Sequence, residues 1–367
     1  MKFSINREQL IKPLQQVASV VERRQTLPVL SNVLVSVVGN QVTMTGTDLE
    51  LELVAALSVG GEVVDGETTI PARKLVDIVK SLPAESVIRF ESDGEKIIVR
   101  AGRSRFSLAT LPSTEFPSLE ETSEGSTFTI KPGLMRSAIE STAFSMAQQD
   151  VRYYLNGMLF EVEGQRLRMV ATDGHRLALC DSEVSTTEAG KVQVIVPRKG
   201  ITELSRLLAD VGDDVNVTVS GNHLRLKIGS ITFTSKLIDG KFPEYERVIP
   251  RQSDRLVVAD RDTLRQAFSR VSILSNEKYR GVRVTLVEGS MKIQANNPEQ
   301  EEAEEEVFVE FSGAQLEIGF NVSYLLDVLN VLGSDSIEMK LGDSNSSGVI
   351  TDPRHPEALY VVMPMRL

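Results

Sequence analysis

Across residues 7–24 the apolar side chains Leu10, Ile11, Leu14, Val17, Ala18 and Val21 recur every three or four positions, the period of a helix with one buried face. The same stripe returns at 134–146, through Leu134, Ala138, Ile139 and Thr142, and at 263–274, through Leu264, Ala267, Phe268 and Val271. A second set of helical patterns covers 72–82, 198–208 and 322–332; Pro71 and Pro197 stand at the start of the first two, where proline favours helix initiation. Between the helices the period drops to two, giving strands at 41–45, 96–101, 106–110, 224–228 and 231–235. Each third of the chain therefore reads as β-α-β-β-β twice. Two helices over one face of an antiparallel sheet is an α+β layer design. Pro13 interrupts the first pattern and requires that helix to start late or bend.

The thirds also match in sequence. VTMTGTDLE at 42–50 is echoed by LRMVATDGH at 167–175 and more faintly by MKIQANN at 291–297. TIPARKL at 69–75 matches VIVPRKG at 194–200 and, loosely, EIGFNVS at 317–323, and Phe116-Pro117 recurs as Phe242-Pro243. Solenoid repeats run at about 20–50 residues. Here the spacing is about 125 residues, roughly a third of the 367-residue chain, so the repeating unit is a whole domain. Polar stretches at 120–126 (EETSEGS) and 250–254 (PRQSD) mark the joints. The expected domains are 1–122, 126–250 and 254–367.

Composition narrows the chemistry. The net charge of −11 argues against nucleic acid when taken as a bulk property. The single cysteine, Cys180, excludes an intrachain disulfide framework or a cysteine-rich zinc site. No apolar run is long enough to span a membrane, and residues 1–7 lack the apolar core of a signal peptide, so a cytoplasmic protein is expected. Phosphate-binding, dinucleotide, zinc-protease and nucleophile-elbow motifs are all missing from the sequence. The three histidines lie in different neighbourhoods, which leaves no multi-histidine metal site; neither a metal nor a cofactor is expected.

Asp173-Gly174-His175-Arg176 is the most enzyme-like stretch, because an aspartate beside a histidine can form an acid–base pair. The repeat favours another role for the aspartate: Asp48 and Asn296 hold its place in the other copies, as turn-forming residues would. His175 and Arg176 occur in one copy only and are candidates for a site. Basic residues, among them Arg73, Lys80, Arg136, Arg198, Arg206, Arg265 and Arg270, fall on or beside the helices. They fit either a positive stripe able to face phosphate or the wet faces of ordinary amphipathic helices. The helix at 322–332 has no basic residue. The acidic run at 299–306 lies between strand patterns, while Arg100, Arg103 and Arg105 flank Phe106 and Leu108 in the first third. An acidic edge and a basic edge on one chain point to head-to-tail association, which gives a ring if the rotation closes.

TGTDLE at 45–50, GRSRFS at 102–107, QDVRYYLNGMLF at 149–160, ATDGHR at 171–176, LSNEKY at 274–279, ANNPEQEE at 295–302 and YVVMPMRL at 360–367 resemble the bacterial DNA polymerase III beta-subunit family, the sliding clamps. The resemblance spans the chain. It implies a head-to-tail homodimer ring of six similar domains, with helices lining the hole and sheets outside, that encircles double-stranded DNA without reading its sequence. By the same resemblance Arg24, Gln149, Tyr153 and Tyr154 contact DNA and Arg73 and Arg198 line the hole; plain strand packing is the other reading of the tyrosine pair. The family's peptide pocket maps onto Leu155, Thr172, Gly174, His175, Arg176, Leu177, Pro243, Arg247, Val248, Ser347, Val361, Met363, Pro364, Met365 and Arg366. The other reading of Met363-Pro364-Met365 is the end of a C-terminal strand. Asn345 stands where relatives can carry an apolar residue. The implied partners are the replicative polymerase alpha subunit, the clamp loader, and other DNA polymerases and repair proteins, each through a linear motif. The dimer contact would set Ile273 and Leu274 against Phe106 and Leu108, and Lys74, Arg103 and Arg105 against Glu299, Glu302 and Glu305.

Overall fold

The computed structural model describes the chain apart from residues 23–26, 118, 120–124, 187–189, 252 and 367. Among the described residues there are six α-helices: α1 (Arg7–Ser19), α2 (Ala72–Ser81), α3 (Pro132–Thr142), α4 (Arg198–Leu207), α5 (Arg261–Val271) and α6 (Val322–Val331). All three pairs fall where the 3.6-residue stripes place them, each followed by three antiparallel strands. α1 does not start late: it begins at Arg7 and carries Pro13 in its interior. The stripe at 7–24 overshoots it, since α1 ends at Ser19. The stripes at 134–146 and 263–274 take in short 3-10 turns, Ala143–Ser145 and Ser272–Leu274, after α3 and α5.

The sheets differ from the expected single sheet per third. In every copy the leading strand of each half pairs with the strands of the other half. Lys2–Asn6 joins Val87–Asp93, while Gly66–Pro71 joins Asn32–Val38. Ser126–Ile130 and Arg255–Asp260 make the same exchange with Val215–Ser220 and Ser336–Leu341. A helix following such a strand must cross from one sheet to the other, so it is covered on more than one side. α1 accordingly buries Leu10, Leu14 and Val17 almost completely. It also presses on Gly46, where an added Cβ would lie 2.4 Å from the Val17 carbonyl oxygen.

The backbone forms two compact units, and their boundary runs through the second copy. The first comprises Met1–Pro132, Ser185–Glu188 and Arg206–Leu237. It holds a four-stranded sheet and a nine-stranded sheet in which Leu51–Ser58 of the first copy pairs with Ile231–Lys236 of the second, Leu53 opposite Phe233. The second comprises Gly133–Val184, Ala189–Ser205 and Ile238–Leu367. It holds an eight-stranded sheet, in which Arg176–Glu183 pairs with His355–Val362, and a four-stranded one. Sequence periodicity marks strands but not their partners, so this sharing of sheets between copies was not legible in the pattern.

Candidate functional site

The repeated turn shows which residues are architecture. Asp48 Oδ1 accepts from the backbone N–H groups of Glu50 (2.9 Å) and Leu51 (2.6 Å). Asp173 Oδ1 accepts in the same way from His175 (2.9 Å) and Arg176 (3.0 Å). In the third copy the equivalent acceptor is Asn297, bonded to Glu301 N–H at 2.9 Å, rather than Asn296, which closes the strand Ser290–Asn296. Asp173 is thus a turn-former whose second oxygen takes Arg176 Nε at 3.1 Å, which leaves it a poor partner for acid–base work with His175.

The second-copy turn sits over an apolar cluster. Leu159, Val170, Leu177, Leu179, Ile195, Phe242, Tyr245 and Val361 are buried together, with Tyr154, Ile238, Ile249 and Leu359 packed against them. Register places Leu177 opposite Val361 across the sheet. Leu155 and Thr172 are buried, Gly174 and Ser347 partly buried, and Pro243, Arg247 and Val248 exposed. Met363, Pro364 and Met365 are partly buried and Arg366 is exposed. Their backbone is tied down by Met363 N–H to the His175 carbonyl and Met365 N–H to the Gly319 carbonyl, both at 2.9 Å. Met365 and Arg366 also line a cavity of about 450 Å³ with Asn276, Tyr279, Asn297 and Pro298. The exposed loop residue Asn345 follows Asp343, whose carboxylate accepts its N–H at 2.9 Å.

Phe242 and Tyr245, the floor of this cluster, are absent from the site residues named in the sequence. The recurrence of Phe116-Pro117 as Phe242-Pro243 was the signal that could have found the first: Phe116 plugs the corresponding cluster with Val29 and Leu30. Tyr245 is held from beneath. Its hydroxyl donates to the buried Glu161 carboxylate at 3.1 Å, which also meets Lys191 Nζ at 3.0 Å. Burial pushes the Tyr245 phenol up to about 12, and the Glu161 carboxyl, despite its own burial, is held below the usual range by its donors Lys191, Gln193 and Tyr245.

Arg176 is used within the chain. Its side chain is 11% exposed; its guanidinium reaches Asp173, the Asp327 carboxylate and the Phe144 carbonyl (2.8 Å). It also lies between the rings of Tyr324 (4.6 Å) and Phe144 (5.2 Å). His175 is exposed and stacks on Tyr324. Spacing in sequence gave no hint of Phe144, Tyr324 or Asp327.

Beside this lies the segment expected to meet DNA. Gln149 is exposed in a left-handed backbone conformation, φ 54°. Tyr153 and Tyr154 open a 3-10 turn rather than a strand; Tyr153 is 57% exposed, Tyr154 packs on the cluster, and their rings meet edge to face at 5.8 Å. Asp150 and Arg152 form a doubly bonded pair that holds the Asp150 carboxyl at about 2, and Arg152 donates to the Asp173 carbonyl at 3.1 Å. Arg198, at the start of α4, is half-buried and donates to the carbonyls of Met146 (2.6 Å) and Ala147 (3.3 Å), so it fastens this segment instead of standing free. Arg73 and Lys74 are exposed on α2; Arg24 lies outside the described residues.

The charged strands are both sheet edges. Glu302–Phe308 ends one four-stranded sheet and Ser104–Ala109 the other. Arg103 and Arg105 are exposed, Phe106 and Leu108 partly buried. Glu299 and Glu302 are exposed, but Glu305 is paired with Arg270 of its own chain, with Nε at 3.0 Å from the carboxylate. Ile273 is 75% exposed beside the partly buried Leu274. No cluster of three or more His, Cys, Asp or Glu able to hold a metal occurs among the described residues, and no helix there is long and apolar enough to cross a membrane.

The structure is a triplicated α+β fold with sheets shared between copies, two sheet edges of opposite charge and an apolar cluster beside the C-terminal segment. Comparison with known proteins agrees. The N-terminal, central and C-terminal domain models of the DNA polymerase III beta subunit match residues 1–120, 129–244 and 246–366. The beta sliding clamps of Pseudomonas aeruginosa and Escherichia coli K12 are 58% and 52% identical over 367 residues, covering all of both chains. The crystal structure of the P. aeruginosa beta subunit superimposes with a TM-score of 0.98 at 58% identity, and that of the Caulobacter crescentus DNA polymerase sliding clamp with 0.94 at 38%, each with full coverage. The chain belongs to the DNA polymerase III beta-subunit family. It is a sliding clamp of the replicative polymerase, a processivity factor with no catalytic site of its own.

Proposed function

We propose that the chain forms a head-to-tail homodimer ring of three clamp domains per protomer, spanning 1–122, 126–250 and 254–367, around double-stranded DNA in the cytoplasm. The observation that carries this reading is the pair of unlike sheet edges. Arg103 and Arg105 lie at one beside the apolar Phe106 and Leu108, with Lys74 exposed on α2 of the same unit, and Glu299 and Glu302 lie at the other, whose unit exposes Ile273 beside Leu274. Opposite charges suppress wrong pairings and buried apolar area supplies affinity. Glu305 enters only if it exchanges Arg270 for a residue of the second copy. Helices α1 to α5 carry the basic residues that face phosphate, with Arg24, Arg73, Gln149, Tyr153 and Tyr154 as contacts and Arg198 as a support behind them. Few and loose phosphate contacts allow sliding and leave retention salt-dependent.

The second site is a groove for short linear peptides from the polymerase alpha subunit, the clamp loader and other DNA polymerases and repair proteins. Leu177, Pro243, Val248, Val361, Met363 and Met365 supply its apolar walls. Thioethers adapt to different side chains, which suits one groove serving several partners. A related P. aeruginosa clamp has been crystallised bound to griselimycin. The test is retention on closed circular DNA: the reading expects salt-dependent retention that is lost when the circle is cut, and equal retention on linear DNA refutes encirclement.

A further inference from the structure

Among the six helices α6 alone has no basic residue; its single charged side chain is Asp327. A helix on the DNA-facing side gains nothing from an unpartnered acid, and Asp327 is not unpartnered. Its carboxylate takes Nη1 of Arg176, whose other donors go to Asp173 (Nε, 3.1 Å) and the Phe144 carbonyl (Nη2, 2.8 Å). One turn of helix earlier, Tyr324 places its ring 4.6 Å from the same guanidinium and stacks on His175. The turn so fixed is closed by Thr172 Oγ1 donating to the Arg176 carbonyl at 2.6 Å, and it receives the C-terminal segment through Met363 N–H on the His175 carbonyl. The third copy's helix thus pins the second copy's turn, and that turn carries one wall of the groove.

We propose that Asp327 is a positioning residue of the partner-peptide groove: it anchors Arg176 to α6 and thereby sets the turn at 172–176 against Met363–Met365. This rests on the peptide-groove reading given above. A charged hydrogen bond with a planar guanidinium fixes direction as well as distance, which a lysine or a lone backbone contact would not. At 43% exposure the Asp327 side chain is wet enough that its loss leaves folding largely intact.

The experiment is fluorescence anisotropy of the full-length chain with a labelled peptide copied from the clamp-binding segment of the replicative polymerase, on wild type, Asp327→Asn, Asp327→Glu, Arg176→Ala and the Asp327→Asn/Arg176→Ala double variant. The expected result is about fivefold weaker binding for Asp327→Asn, partial recovery in Asp327→Glu, and no further loss when Asp327→Asn is added to Arg176→Ala, with thermal midpoints unchanged in the two Asp327 single variants. Non-additivity is the signature of residues acting through one another. Wild-type affinity in Asp327→Asn, or losses that add in the double variant, overturns the assignment alone. A wild-type chain that ignores the peptide overturns the groove reading and this assignment with it.

Discussion

Replacing Ile273 and Leu274 together by alanine removes the apolar centre of the proposed protomer contact. Ile273 is 75% exposed in the isolated chain, so nearly all of its side-chain burial would come from association. Leu274 is already partly buried and contributes less. Full burial of such a side chain is worth about 1.5–3 kcal/mol, so each contact loses roughly 2–4 kcal/mol. At 1.4 kcal/mol per tenfold, association weakens by about 30- to 700-fold per contact, and a closed ring carries the loss at both of its contacts. Sedimentation velocity at micromolar protein should show monomers with unchanged far-ultraviolet circular dichroism, because both residues lie in the 3-10 turn beyond α5 while Phe268 and Val271 keep its core. An undiminished dimer for this variant would refute the interface. A monomeric wild type would refute the ring.

Four further outcomes follow from local geometry. Gly46→Ala forces a Cβ against the Val17 carbonyl oxygen and should destabilise the first unit by roughly 3 kcal/mol in urea denaturation; an unchanged midpoint contradicts that close approach. The Asp150 carboxyl should titrate at about 2 by NMR and return toward ordinary values in Arg152→Ala; because the folded value is depressed, the pair's contribution is present above the ordinary aspartate range and lost as pH falls through about 2. Cys180, buried and pushed up to about 11, should resist alkylation at pH 8 until urea is added, and rapid labelling of native protein contradicts its burial. Tyr245→Phe removes one donor from the buried Glu161 and should cost about 1 kcal/mol in denaturant melts while weakening the peptide groove above it.

The triplication and the helix and strand order were fixed by periodicity, since the spacing of Asp48 and Asp173 and the stripe through Leu10, Leu14 and Val17 are properties of the chain itself. The turn role of Asp173 was legible for the same reason, being repeated at Asp48. The acidic run at 299–306 and the basic residues Arg100, Arg103 and Arg105 beside Phe106 and Leu108 were readable as edges because rows of like charge block strand pairing. Only tertiary structure decided that leading strands exchange between half-repeats, that Leu51–Ser58 pairs with Ile231–Lys236, and that Arg176 finds Asp327 151 residues away. Strand partners and ion pairs of that range are chosen by packing in three dimensions, where burial of apolar faces and pairing of buried polar groups are settled together, and no local pattern of residues records that choice.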